Sequence, residues 1–339
     1  MTVGPSLDAH PARLRAGLIG LGSMGRHHAR LLGSLDGVEL VAVADPAGDP
    51  HGAAHGVPVL TSLDELIDKG LDYCVVAVPT ALHEQVGRQL AEAGVHVLIE
   101  KPVAADQAAA TRLVECFEAA GLVGAVGHIE RYNPALQQLK SRLSAGELGD
   151  IYQLATRRQG PFPVRIADVG VVKDLATHDI DLTAFVSGQQ FRSVSARIAH
   201  KSGREHEDLV AIAGQLHDGV VTNHLVNWLS PMKERLTVVT GERGTFVADT
   251  LTADLTFYAN GTVTAEWSDL AHFRGMTEGN VTRYAFSKAE PLRTEHEQFR
   301  DAVRGLPADI VTLRDGLAAV RVAEAVLESA RTGQTVDLA

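Results

Sequence analysis

The run VLIEKPVA, residues 97–104, is apolar until it meets Glu100, Lys101 and Pro102. An ammonium at a strand end can stabilise an oxyanion as it forms, and the proline after it restricts the lysine to extended backbone geometry. A cis bond before Pro102 is one way to fix the lysine's direction. Upstream, GLIGLGSMGRHH places Gly20, Gly22 and Gly25 in a GxGxxG spacing around Leu21, Ser23 and Met24, and Asp45 closes VELVAVAD. Such glycines permit a tight turn and let backbone N–H groups approach a pyrophosphate, while the aspartate accepts both ribose hydroxyls. A chain with 32 glycines can produce the spacing by chance. A strand before it, a helix after it and an acid at the next strand end make a dinucleotide site the stronger reading, against glycines that serve packing alone. Asp45 repels a 2′-phosphate, and PAGDP behind it has no Arg, Lys or Ser to receive one, so NAD is favoured over NADP. Ligands of such sheets lie outside the carboxyl ends of the strands, which puts Glu100 and Lys101 beside the nicotinamide.

These residues need a scaffold, and the chain is long enough to build one. At 339 residues and 45% apolar content it holds two ordinary domains. From Arg15 to Gly127, continuous apolar runs alternate with helical patterns, as in DYCVVAVP, LHEQVGRQLAEAG and VHVLIE. Unbroken apolar runs indicate strands covered on both faces, hence a doubly wound α/β domain with a parallel sheet. SLDELIDKG opens on a capping box, Ser62 to Glu65, and closes on Gly70. After Gly127 the rhythm changes to helices at PALQQLKSRLSAG and KDLATHDIDLTAFVSG, then strands near 191–200, 208–215, 219–228, 235–240 and 244–249. Tight turns at HDG, GERG and ANG predict a mostly antiparallel sheet. Two helices, near 294–304 and 313–331, finish the chain. The domains expected are 13–127 for NAD binding and 128–339 for substrate binding and oligomerisation, with QGPFPVRIADVG, 159–170, as a functional loop.

The order and spacing of GLIGLGSMGRHH, VAVADP, VAVPTALHEQV, EKPVA and DLATHDID resemble the glucose-fructose oxidoreductase, inositol dehydrogenase and MocA-like (Gfo/Idh/MocA) family of NAD(P)-dependent oxidoreductases, from about Arg15 to Ala339. The resemblance implies a second domain with an open-faced, mostly antiparallel sheet whose back pairs copies into homodimers or homotetramers, and a substrate between that sheet and the nicotinamide. It makes Asp174 and His178 the family's Asp-x-x-x-His element, four residues apart on one helix face. Oxidising a secondary alcohol needs removal of the hydroxyl proton, which a histidine can take near neutral pH. His178 is therefore read as the base, Lys101 as its electrostatic and proton-relay partner, and Asp174 as the orienting group. Some relatives divide these roles differently between the lysine and the second-domain residue. Asp179 and Asp181 read as a solvated polar stripe beside them. Pro79, Thr80 and His83 match the family's loop near the ribose and nicotinamide, although His83 reads equally well as a helix-face residue.

Arg131, Arg157, Arg158, Arg165 and Lys173 stand out from a net charge of −11. Clustered guanidinium groups suit phosphate oxygens, which indicates a nucleotide sugar rather than a neutral polyol. Surface ion pairs are the alternative, at least as good for Arg165 and Lys173. GHIERYNPALQQL and RRQGPFPVRIADVGVVKDLATHD also resemble the branch that oxidises UDP-N-acetylglucosamine at C3 to a 3-keto sugar. By that resemblance Arg131, Tyr132, Asn133, Arg158 and Pro161 line the substrate pocket with Lys101, Asp174 and His178. The stretch ADVGVVKD lacks the glycine-rich run of many sugar and cyclitol dehydrogenases. A cyclitol or free-sugar dehydrogenase, or a ketosugar reductase, is the alternative within the fold; a nucleotide-binding sensor is the alternative outside enzymes.

The acidic balance and pI near 5.7 argue against nucleic acid and anionic membrane as partners. Cys74 and Cys116 form no CxxC, the 15 histidines show no convincing ligand spacing, and no metal is expected. The start MTVGPSLDAHPARLRAG lacks a signal-peptide core and reads as a loose tail to about residue 12, so a cytoplasmic protein is expected.

Overall fold

The computed structural model describes residues 13–163, 169–261 and 277–338, so the expected N-terminal tail lies outside the described residues. By contacts the chain forms two units, one of residues up to Gly127 with Leu292–Leu313, the other of His128–Pro291 with Arg314 onward.

In the first unit, β1 (Leu14–Ile19), α1 (Gly25–Leu32), β2 (Val38–Ala44), β3 (Val59–Leu60), α2 (Leu63–Ile67), β4 (Tyr73–Val76), α3 (His83–Glu92), β5 (His96–Glu100), α4 (Gln107–Ala120) and β6 (Gly124–Gly127) follow one another. The six strands are all parallel in the order β3-β2-β1-β4-β5-β6. That is the doubly wound order, with β1 and β4 at the point where the winding reverses. Every residue of β4 is buried, as the unbroken apolar run requires. Ser62 caps α2 by accepting the Glu65 N–H at 3.2 Å, while the Glu65 carboxylate reaches back to the Thr61 N–H at 3.0 Å.

In the second unit, α5 (Pro134–Ser144) leads into β7 (Ile151–Pro161), and α6 (Thr177–Ser187) into β8 (Phe191–Ala199), β9 (Leu209–Leu216), β10 (Val221–Asn227), β11 (Leu229–Gly241), β12 (Gly244–Asp249), β13 (Asp254–Gly261) and β14 (Thr277–Arg283). With β15 (Val336–Asp337) these make a nine-stranded sheet, β14-β13-β12-β11-β7-β10-β9-β8-β15, antiparallel except at β7 and β10. Leu136, Leu139, Leu182 and Phe185 of α5 and α6 pack on Leu154, Val239 and Phe246 of one sheet face. On β9 and β10, buried Val210, Ile212, Thr222 and His224 alternate with exposed Ala211, Ala213, Val221 and Asn223, so the opposite face is open. The central strand β7 was absent from the expected strands, because its polar sequence, IYQLATRRQGP, hides the alternation.

The expectation that the second domain runs unbroken to the C-terminus needs correction. α7 (Pro291–Val303) belongs to the first unit, where Phe299 meets Tyr73 edge-on at 5.3 Å between ring centroids. The following segment stays there, the Val126 N–H donating to the Val311 carbonyl at 2.9 Å. Its apolar residues complete a core begun almost three hundred residues earlier. α8 (Leu313–Thr332) then covers β8 and β9 through Ala319, Val322, Ala323 and Val326.

His224 on β10 is buried beneath the sheet, 2.8 Å from the Thr156 hydroxyl, and burial pushes its pKa down to about 4. Above the ordinary value of 6.5 the ring is neutral whether folded or not. Between 6.5 and about 4 only the unfolded chain takes up the proton, so stability falls as pH falls, by about 3 kcal/mol across the window. Urea unfolding at stepped pH should show a shallower loss in this window for His224→Gln; an unchanged slope would contradict the assignment.

Candidate active site

The turn after β1 is shaped by its glycines. Gly20 has φ +94°, and a Cβ there would stand 2.5 Å from the Ala77 carbonyl oxygen. A Cβ on Gly25 would run into the Gly20 carbonyl. Nothing lies within 4 Å of a Cβ on Gly22, so the outer side of the turn is clear. Ser23 is exposed and Met24 half-buried where α1 begins. Two close approaches and one open side at a helix N-terminus fit a pyrophosphate. Asp45 Oδ2 accepts the Leu21 N–H and Oδ1 the Ala47 N–H, both at 2.8 Å. A carboxylate has about four acceptor positions, which leaves two for ribose hydroxyls.

At the end of β5 the Lys101–Pro102 peptide is cis. Glu100 turns inward and is buried, against the expectation that it faces the nicotinamide. Its Oε1 lies 2.9 Å from His28 Nε2 on α1, and its Oε2 accepts the Lys101 N–H at 3.1 Å. Burial opposes ionisation of Glu100, but the His28 hydrogen bond and the nearby Lys101 ammonium hold the carboxyl below its usual range. His83, at the start of α3, is buried rather than on a helix surface. Its ring nitrogens lie 2.9 Å from the Pro102 carbonyl and 3.0 Å from that of Val78. Burial pushes His83 below its ordinary value although both carbonyls oppose this. Exposed Pro79 and half-buried Thr80 precede it in a short 3₁₀ turn.

In the second unit, Asp174 is buried in a π-helical turn, Val172–Ala176, that runs into α6, and His178 is half-buried in the first turn of α6. The pair is therefore not carried by a regular α-helix, and π-turns of this kind recur at functional sites. The Val172 N–H is capped by Glu207 Oε1 at 3.0 Å. The ring of His178 meets that of His128 edge-on, 6.4 Å between centroids, and His128 Nδ1 is 3.7 Å from Asp181 Oδ2.

Asp179 and Asp181 are 1% and 2% exposed, so the solvated stripe expected there is corrected. Each is buried because an arginine meets it: Arg158 Nε donates to Asp179 at 3.0 Å, and Arg131 grips Asp181 through Nε and Nη2 at 2.9 and 2.6 Å. Arg158 Nη1 also donates to Glu130 at 2.8 Å, and Arg131 Nη2 stands 3.3 Å from Asp315. Burial drives the Asp179 carboxyl up against the pull of Arg158, whereas Arg158 brings Glu130 below its usual range despite burial. The forks expected to meet substrate phosphates are thus already engaged by protein carboxylates. Asn133 caps α5 through the Ala135 N–H at 3.0 Å and donates to the Thr250 carbonyl at 3.0 Å. Tyr132 is buried, Lys173 half-buried and Pro161 exposed at the end of β7. Arg157 is exposed and paired with Glu234 at 3.2 Å; Arg165 lies outside the described residues. His28, His128, Glu130 and His296 went unnoticed in the sequence, where nothing but their burial distinguishes them.

Among the described residues no group of three or more His, Cys, Asp or Glu is placed to hold a metal, and no helix is long and apolar enough to cross a membrane. Residues 14–128 match the Gfo/Idh/MocA oxidoreductase family, NAD-binding Rossmann fold, and residues 140–338 its C-terminal alpha/beta domain. The chain is 32% identical over 213 residues to UDP-N-acetylglucosamine 3-dehydrogenase of Acidithiobacillus ferrooxidans, a stretch covering 62% of this chain and 66% of that protein. It is 29% identical over 336 residues to inositol 2-dehydrogenase 4 of Saccharopolyspora erythraea, covering 94% of each. A solved structure of the Acidithiobacillus ferrooxidans 3-dehydrogenase superposes with a TM-score of 0.82 at 26% identity, over 95% of this chain and 99% of that one.

Arg158→Met would remove the cation that hydrogen-bonds both Glu130 and Asp179 and leave only Arg235 nearby among the described residues, a loss expected to cost about 3–5 kcal/mol in chemical denaturation. Unaltered stability with a weakened affinity for a phosphorylated substrate would return Arg158 to the role of phosphate ligand.

Proposed function

The chain belongs to the Gfo/Idh/MocA oxidoreductase family, and we propose that it is an NAD-dependent dehydrogenase of a sugar secondary alcohol, acting at C3 of UDP-N-acetylglucosamine or a related nucleotide sugar. The observation that carries the dehydrogenase reading is the pairing, within one unit, of a glycine turn open at Gly22 with a buried scaffold beneath Lys101. The Acidithiobacillus ferrooxidans relative supports the choice of substrate.

In this reading Gly20, Gly22, Ser23, Met24 and Gly25 hold the pyrophosphate, Asp45 the ribose, and Pro79 and Thr80 the nicotinamide side. NAD, when bound, accepts the hydride from the alcohol carbon. In the first unit, the Lys101 ammonium stabilises negative charge developing on the alcohol oxygen. In the second, His178 takes the hydroxyl proton and Asp174 orients it, with the π-turn aiming both side chains. The open sheet face, with Ala211, Ala213 and Val221 exposed, is proposed to pair copies of the chain.

One observation favours a second reading, a cyclitol or free-sugar dehydrogenase. The carboxylates that occupy Arg131 and Arg158 remove the main argument for a diphosphate, and the inositol relative aligns along almost the whole chain.

Purified protein with NAD should form NADH, followed by its near-ultraviolet absorbance, with UDP-N-acetylglucosamine but not with N-acetylglucosamine or myo-inositol. NADH formed from myo-inositol alone would establish the second reading. Lys101→Met should lower kcat at least about a hundredfold while NAD binding persists; near-normal turnover would remove Lys101 from the chemistry. Asp45→Ala should raise kcat/KM with NADP relative to NAD, and a constant ratio would show that Asp45 does not read the ribose.

A further inference from the structure

Behind Lys101 lies a line of buried polar groups drawn from three elements remote in sequence. His28 of α1 bridges Glu100 at the end of β5 and His296 of α7, with 2.9 Å from its Nε2 to Glu100 Oε1 and 2.8 Å from its Nδ1 to His296 Nε2. His28 and His296 are 0% and 1% exposed. Apolar side chains would fill this space at lower cost, so the polar line needs a reason.

With both rings neutral, its protons have one consistent arrangement. An ionised carboxylate can only accept, so His28 Nε2 carries a proton and donates to Glu100. Burial, with His28 and Arg293 nearby, keeps His296 far below its ordinary value and therefore neutral. When the His296 proton sits on Nε2, it donates to His28 Nδ1, and both hydrogen bonds point toward Glu100. The unpartnered buried atom is then His296 Nδ1, a lone pair rather than an N–H, which is the milder of the two to strand. Bonds aligned in this way strengthen each other in a low-dielectric interior. Glu295, next to His296, has both carboxyl oxygens buried without partners, and burial raises its pKa well above the ordinary value. Burial thus favours its neutral form, whereas Glu100 has the donors that favour ionisation. The charged groups facing the line are Lys101, near Glu100, and Arg293, near His296.

We propose that His28, backed by His296, is a positioning residue for Lys101. It holds the Glu100 carboxylate, whose other oxygen holds the Lys101 N–H, so the turn presenting the ammonium is set from inside the unit. The kinetic consequence rests on the dehydrogenase reading above; the structural one does not.

Two variants and two readouts test it in the full-length protein. His28→Phe fills the space without a donor, whereas His28→Gln restores an N–H toward Glu100. In His28→Phe, hydrogen exchange at the Lys101 amide should accelerate at least about tenfold while the β4 amides of Val75 and Val76 keep their rates. Turnover kcat should fall at least about tenfold with KM for NAD within about twofold. His28→Gln should recover most of both. Unchanged exchange at Lys101 in His28→Phe, equal acceleration at β4, or no recovery in His28→Gln would overturn the proposal. If no sugar is turned over by the parent protein, the dehydrogenase reading fails and the exchange experiment alone decides the role of His28. Should His28→Phe not fold, His296→Leu removes the donor behind His28 and should accelerate the Lys101 amide about threefold; no change there would equally overturn it.

Discussion

A carboxylate can be buried only if something replaces the water it loses, and both units are organised around that constraint. In the first, Glu100 is satisfied by His28 and by the backbone of the residue it precedes. Lys101 and Pro102 follow from a strand end whose last side chain is anchored inside, while His83 meets the Pro102 carbonyl from the other side. The turn is held from below and from one flank by imidazoles, and neither contact uses the lysine side chain. A long flexible cation is thus carried on a backbone with little freedom of its own, which is the condition for a charge to act at a fixed place.

How much of this was legible in the sequence depends on the range of the interaction. The glycine turn, Asp45 and the parallel sheet follow from local spacing and continuous apolar runs, and the doubly wound order agrees with them. α7 was legible as a helix but not as part of the first unit, because the amphipathic pattern of a helix says that it has a buried face and not what covers it. Phe299 finds Tyr73 across more than two hundred residues. β7 was lost for a related reason. Its Arg158 faces inward, and a buried arginine reads as a surface residue unless its partners, Glu130 and Asp179, are known to be there.

The same blindness affected charge. Asp179 and Asp181 flank Ile180 on α6, and a reader of sequence assigns such residues to solvent. Arg131 and Arg158 were in turn assigned to a ligand, since they are cations in an acidic chain. Each reading lacked the other's residues as partners. Complementary charges far apart in sequence can neutralise one another internally, so an arginine-rich segment indicates an anionic ligand only after the protein's own carboxylates have been counted.

That neutralisation has a mechanical result. Successive α-helical residues are turned by about 100°, so Asp179 and Asp181 project from α6 roughly 200° apart. Arg158, on β7, and Arg131, just ahead of α5, therefore grip the helix from nearly opposite sides. One grip would leave α6 free to roll about the contact; two opposed grips fix both its rotation and its position along the axis. His178 stands one residue before the first grip, and the π-turn holding Asp174 is capped at its start by Glu207. The arginines that the sequence offers as phosphate ligands thus hold, through Asp181 and Asp179, the helix that bears His178.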